Sequence, residues 1–161
     1  MTAAIRLATD DDQDQVLRLR LAFIADVRGV GLDSFEPAFV DVTRRYLADV
    51  SRLGRIRTWL AEPVSGGGAA TGIISVLRTD APPLPEQHLA HEGYVVNLWV
   101  APEGRRRGTA RALLQTAIDD APCWGLRGLH LHATEDGRPL YEATGFAPDA
   151  RWMRLRLGDA T

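Results

Sequence analysis

Lysine is absent from this chain, and all 19 basic residues other than histidine are arginine. That excludes a Walker A loop, whose lysine must reach the phosphates, and any Schiff-base enzyme, whose nucleophile is a lysine amine. Cysteine occurs once, as Cys123, so no disulfide framework exists and a reducing, cytoplasmic compartment is expected. Cys123 follows a helix end and is expected to be packed rather than nucleophilic. No apolar run reaches the roughly 18 residues needed to cross a bilayer, and the N-terminus lacks a charged-then-apolar export signal. No membrane partner is expected. The net charge of −2 carries no excess of positive charge, so nucleic acid is not expected as a partner either. What remains is ordinary for a globular chain: 161 residues, 45% hydrophobic and 25% charged, enough for one domain with a substantial core.

The apolar pattern places the elements. Ile5-Arg6-Leu7 reads as a first strand. Asp10 or Asp11 caps a helix through Val16, Leu17, Leu19, Arg20, Phe23 and Ile24, which Gly29 and Gly31 end. Phe35 to Val50 reads as a second helix. Arg55 to Ala61 and Ala70 to Leu77 form an antiparallel hairpin around Gly66-Gly67-Gly68, a turn rather than a dinucleotide fingerprint because a strand follows it. After the stiff Ala81-Pro82-Pro83-Leu84-Pro85 loop comes an apolar strand from Tyr94 to Val100, then a helix from Thr109 to Asp120. Leu129 to Ala133 is a strand, Arg138 to Thr144 a short helix ended by Gly145, and Trp152 to Leu157 an alternating last strand. The order β-α-α-β-β-β-α-β-α-β predicts a single α+β domain over residues 1–161: a mixed, mostly antiparallel sheet with helices packed on it, an α/β-sandwich-like arrangement.

The stretch Arg105-Arg106-Arg107-Gly108-Thr109-Ala110 carries the chemistry. It joins a strand to a helix, where the first helical N–H groups have no intrahelical partner and the helix dipole places partial positive charge. Gly108 has no Cβ to keep an anion away from the backbone. Each arginine side chain either adds a charge-assisted hydrogen bond to a phosphate or faces water. Because the cluster is local, it suits one small anion.

The loop Arg105-x-x-Gly108-x-Ala110, the later Leu140-Tyr141-Glu142-x-x-Gly145-Phe146 and the element order together resemble the GNAT superfamily of acyl-CoA-dependent N-acyltransferases. The resemblance implies acetyl-CoA as acyl donor, no metal and a primary amine as acceptor. A small-molecule amine is the first expectation. A protein N-terminus or lysine, or a non-catalytic acyl-CoA sensor, are the alternatives, and a homodimer is compatible with the pattern. It also implies a site plan. The strands ending at Val100 and running from Leu129 to Ala133 splay apart. Backbone groups of Leu98, Trp99 and Val100 then take the pantetheine arm as a missing strand would. N–H groups from Arg106 to Ala110 hold the pyrophosphate. Tyr141 protonates the leaving thiolate, and a backbone N–H near Leu98 meets the oxyanion. Thr134 stands where relatives often have an asparagine that touches the cofactor arm, so either Thr134 or Asp136 replaces that contact or it is lost.

For the base that takes the amine proton, Glu92, His130 and an ordered water chain remain open. By strict alternation Glu92 shares a face with Tyr94, Val96 and Leu98, while Asn97 and Trp99 point the other way unless a bulge turns them. The acceptor walls are expected at about Phe23 to Phe35 and Thr79 to His91, with Phe23 and Asn97 as substrate contacts. Asp26, Asp33, Asp80 and Glu92 near these walls would suit a cationic amine. His130 and His132 share a strand face, with His88 and His91 upstream, but their spacing matches no recognised metal-ligand set.

Overall fold

Five strands form one sheet whose spatial order follows the chain: β1 (Ala4–Leu7), β2 (Ile56–Glu62), β3 (Gly72–Asp80), β4 (His91–Val100) and β5 (Leu129–His130). Neighbours pair antiparallel as far as β4, and β4 pairs with β5 in parallel. A parallel neighbour cannot be reached by a tight turn, and here the crossover is the helix α3 (Thr109–Asp120). The computed structural model describes residues 3–63, 68–86, 88 and 91–155. The chain divides into two compact units, Met1–Leu131 and His132–Thr161. The first holds the sheet, α1 (Gln13–Arg28), α2 (Pro37–Arg52) and α3; the second holds the short α4 (Arg138–Glu142).

The helices α1 and α2 contribute to one core cluster in which Val16, Leu17, Leu19 and Leu47 meet Leu60 and Ile73 of the sheet, with Trp99 packed against them. On the other side α3 buries Leu113, Leu114 and Ala117, and Leu113 reaches Gly72 of β3 so closely that a Cβ there would sit 3.2 Å from it. The start of α1 is tied to the sheet. Asp12 accepts from Thr9 N–H at 2.8 Å and from both Arg6 Nη atoms at 2.7 Å. The Arg6 guanidinium holds the Asp12 carboxyl well below the usual carboxylate range. The helical entry is therefore organised by Thr9 and Asp12, not by Asp10 or Asp11. The exit is Gly29, left-handed at φ 65° as expected of a terminating glycine.

Three expectations change. Trp152 to Leu155 form no strand and are exposed, and the rest of the expected last strand lies outside the described residues. The strand expected from Leu129 to Ala133 is paired only at Leu129 and His130. Cys123, expected to be packed, is exposed. It falls in the turn region between α3 and β5, after the apolar face of α3 has ended. The glycine turn lies largely outside the described residues, although the hairpin on either side of it forms with Leu60 opposite Ile73.

Candidate active site

The centre of β4 is irregular, and the irregularity builds the site. Thr79, Leu77 and Ser75 of β3 face Glu92, Tyr94 and Val96 in register, but Ile73 then faces Trp99. One extra residue has entered β4 between Val96 and Trp99. Asn97 is left-handed there, at φ 61°, which is the conformation a bulge can demand and which asparagine tolerates. Partners across an antiparallel ladder point to the same face. Glu92, Tyr94, Val96 and Trp99 therefore share a face with alternate residues of β3, and strict alternation fails at the bulge. The same bulge turns Asn97 inward. It is 3% exposed, gives its Nδ2–H to Ser75 Oγ at 3.3 Å and accepts a short hydrogen bond from Arg20 of α1. Ser75 in turn shares a 2.8 Å hydrogen bond with Thr58 of β2. A polar chain thus runs Thr58, Ser75, Asn97, Arg20 beneath α1.

On its other edge β4 is paired with β5 at Gly93 and Tyr94 alone. From Val95 to Val100 no strand pairs with that edge among the described residues. The closed end is tight: a Cβ on Gly93 would lie 2.5 Å from Leu129 and 2.8 Å from Leu126 and Val76. The open stretch contains Leu98, Trp99 and Val100, the residues expected to receive an extended cofactor arm.

The chain then enters the basic loop. Arg106 is left-handed at φ 59° and Gly108 at φ 79°. Backbone that alternates in hand turns successive N–H groups towards one concavity, a form that binds anions. Gly108 is the N-cap of α3 and no side chain caps that helix. Its first backbone bond is from Ala112 N–H to the Gly108 carbonyl, which leaves the N–H groups of Thr109, Ala110 and Arg111 ahead of it without intrahelical acceptors. A Cβ on Gly108 would meet nothing within 4 Å, so the glycine answers to φ and to the approach of a ligand, not to packing. Arg106 and Arg107 are exposed. Arg105 is engaged elsewhere: its Nε donates to the Val100 carbonyl at 2.9 Å and its Nη2 reaches Asp26 at 2.5 Å.

Several expected site residues have internal partners. Asp26 also accepts the Trp99 indole N–H at 2.9 Å, so Asp26 and the Trp99 side chain brace α1 against β4. Glu92 accepts from Arg127 Nε at 2.9 Å and stands 3.9 Å from His130 Nδ1. The His130 ring stacks on Tyr94, centroids 5.2 Å apart. Asp80 lies 3.3 Å from the His91 ring, and Asp33 is exposed. The acids expected to attract a cationic acceptor thus include three occupied by neighbours. Phe23 lies beside Arg20, whose guanidinium is 5.6 Å from its ring centroid.

Within the second unit, Thr134 starts the turn into α4. Its Oγ1 accepts from Gly137 N–H at 3.2 Å and its carbonyl accepts from Arg138 N–H at 3.0 Å. The Tyr141 ring lies over Gly137, where a Cβ would be 3.0 Å from it, and meets Phe146 edge-on at 5.9 Å. Gly145, at φ 99°, makes the turn that brings Phe146 back. Burial pushes the Tyr141 phenol above its ordinary range, which keeps it protonated at neutral pH.

Arg20 was legible only as a member of a helix. Its signal is its place four residues after Val16 and three before Phe23, on the apolar stripe where a guanidinium is out of pattern.

Known proteins share this fold. A predicted acetyltransferase from Clostridium acetobutylicum, solved with acetyl-CoA, superposes with a TM-score of 0.79 over 96% of each chain at 22% identity. A GCN5-related N-acetyltransferase from Ralstonia eutropha JMP134 gives 0.75 at 29% identity, over 96% of this chain and 99% of that one. An aminoglycoside acetyltransferase, HMB0005, from an uncultured soil metagenomic sample gives 0.71 at 18% identity, over 98% and 100%. No curated protein matches the chain. The family model for the acetyltransferase (GNAT) family matches residues 33–146, a span that takes in the bulged strand, the basic loop and the Tyr141 segment, and the chain belongs to that family.

Proposed function

We propose that the protein is an N-acetyltransferase that moves an acetyl group from acetyl-CoA to the primary amine of a small molecule by direct attack in a ternary complex. The observation that carries this is the continuity of the open edge of β4 with the anion-ready loop. An extended amide-bearing arm can pair with Leu98 to Val100, and the diphosphate attached to that arm then meets the N–H groups from Arg106 to Ala110. The family match crosses both compact units, which supports reading residues 1–161 as one domain. The solved relative that acetylates aminoglycosides supports a small-molecule acceptor. The absence of a helix long and apolar enough to cross a membrane among the described residues is in keeping with a cytoplasmic location.

In the proposed reaction the neutral amine nitrogen attacks the thioester carbonyl. The C–N bond forms, the oxyanion is met by the Leu98 N–H just past the bulge, and the C–S bond breaks. The thiolate takes the Tyr141 proton, and the proton that the amine loses to water restores the phenol, so the products are the acetamide and free CoA thiol. A phenol suits the task because its ordinary pKa of about 10 lies near that of a thiol. The amine proton is lost to water in this reading. Glu92 is bound to Arg127 and, at about 3.3 Å per residue, stands roughly 20 Å along β4 from Leu98. His130 is likewise at the closed end.

The test is thiol release from acetyl-CoA across a panel of small amines and peptides. Tyr141→Phe should retain cofactor affinity and lose roughly 10²–10⁴ in turnover, the usual range for a general acid. Full turnover in that variant would reduce Tyr141 to a packing residue. Cofactor binding with no thiol release from any amine or peptide would favour a sensor instead.

A further inference from the structure

Arg20 of α1 extends a half-buried guanidinium to β4. Its single hydrogen bond among the described residues goes to the neutral amide of Asn97, and its flat side lies over Phe23. The other groups that act on it are the phenols of Tyr46 and Tyr94. No carboxylate among the described residues lies within ion-pair distance of it, in contrast to Arg6, Arg57, Arg105 and Arg127, each of which holds one. Burial pushes the Arg20 guanidinium below its ordinary value, as expected for a charge taken out of water without a counter-ion. Such a charge is costly to keep. A guanidinium has five N–H donors in a planar fork, so most of its donors are left for something else. Asp26 of the same helix is bound to Arg105.

Resting on the acetyltransferase reading above, we propose that Arg20 is the anion receptor of the acceptor pocket, and that the acceptor is a small amine carrying a carboxylate. Its position sets the geometry. Arg20 is bonded to Asn97, and Asn97 immediately precedes Leu98, the residue assigned to the oxyanion. A carboxylate on Arg20 therefore holds an amine a short distance away at the thioester, as in an amino acid. Phe23 lies against the guanidinium, 5.6 Å from ring centroid to Arg20 Cζ. One guanidinium neutralises one negative charge, which fits a carboxylate better than a phosphate dianion. The planar fork also fits a carboxylate in bidentate fashion. This reverses the preference for cationic acceptors suggested by acidic residues in the sequence.

The experiment compares matched acceptors on the full chain with saturating acetyl-CoA: a set of amino acids, their carboxamides, the corresponding decarboxylated amines and aminoalkyl phosphates. Wild-type kcat/KM is expected to favour the acids over their carboxamides by about 10²-fold or more, the discrimination available when a polar site is left unpaired. In Arg20→Gln the preference should collapse while the KM for acetyl-CoA stays within about twofold. Thermal shift by the same amino acids in the presence of CoA supplies a second readout, with an upward shift in wild type that Arg20→Gln loses. Equal or greater kcat/KM for carboxamides or cationic amines overturns the proposal and leaves acetyl transfer standing. A preference for aminoalkyl phosphates overturns the carboxylate assignment. An Arg20→Gln that lowers every acceptor equally makes Arg20 a support for the bulge only. A carboxylate-dependent thermal shift without thiol release from any amine supports the anion site and overturns acetyl transfer. The acid-to-carboxamide ratio is read on wild type, so the proposal stays testable if the variant does not fold.

Discussion

The loop from Arg105 to Ala110 and the α1-facing side of β4 adjoin in the chain but are held by different means. The loop uses backbone. Two left-handed residues and a helix start present N–H groups, and a Cβ on its key glycine would meet nothing within 4 Å. The β4 side uses side chains brought from far away: Arg20 of α1, Ser75 of β3 and, through Ser75, Thr58 of β2 all converge on Asn97. The first arrangement can be written in six consecutive residues and is tolerant of its surroundings. The second exists only when four separate elements are assembled. A cofactor shared by a whole family suits the former, and an acceptor that differs from member to member suits the latter, since the converging side chains can change without disturbing the phosphate loop.

The largest expected effect that would sharpen this contrast comes from Gly108→Val. A Cβ there would meet nothing within 4 Å, so the stability cost should come from placing a β-branched residue in left-handed backbone, roughly 1–2 kcal/mol or more. Cofactor binding should nevertheless be lost, read as disappearance of the acetyl-CoA-induced rise in Tm. An unchanged rise would remove the diphosphate from this loop.

Gly93→Ala attacks the other region through its closed end. The new methyl group would press on Leu129, Leu126 and Val76 at 2.5–2.8 Å. Overpacking of a core costs typically 1–3 kcal/mol, and a lower urea midpoint should report it. If the midpoint does not move, the contact between β4 and β5 is looser than these distances imply, and the strand pair would not define where the open edge begins.

The smallest effect belongs to Glu92→Gln. It replaces a charge-assisted hydrogen bond to the mostly buried Arg127 by a neutral one, a loss of about 1 kcal/mol. On the proposed loss of the amine proton to water, the shape of the pH–rate profile should persist. Slow turnover near neutral pH that recovers at high pH would instead return the base role to Glu92.

The motifs of the family were readable from sequence. Arg105, Gly108 and Ala110 at fixed spacing before an amphipathic helix point to an anion cradle, and Tyr141 with Gly145-Phe146 points to the family. The structure changed the side-chain roles. Arg105 is bound to Asp26 and Val100, Thr134 caps a turn, and the Trp99 indole N–H is held by Asp26. Each involves a partner whose distance cannot be inferred from local pattern. Arg20 was missed for a related reason. A lone arginine on a helix is ordinarily solvated, and only the position of β4 beneath it shows that its charge is half-buried beside a neutral amide.

From sequence alone come the mixed sheet with flanking helices and the family, because both depend on periodicity and on residues close together in the chain. The tertiary structure decided the face on which Tyr94, Asn97 and Trp99 meet. Strand alternation has a period of two, and a single inserted residue at Asn97 inverts it for everything that follows. That insertion is visible only in the register against β3, where Ser75 faces Val96 and Ile73 faces Trp99.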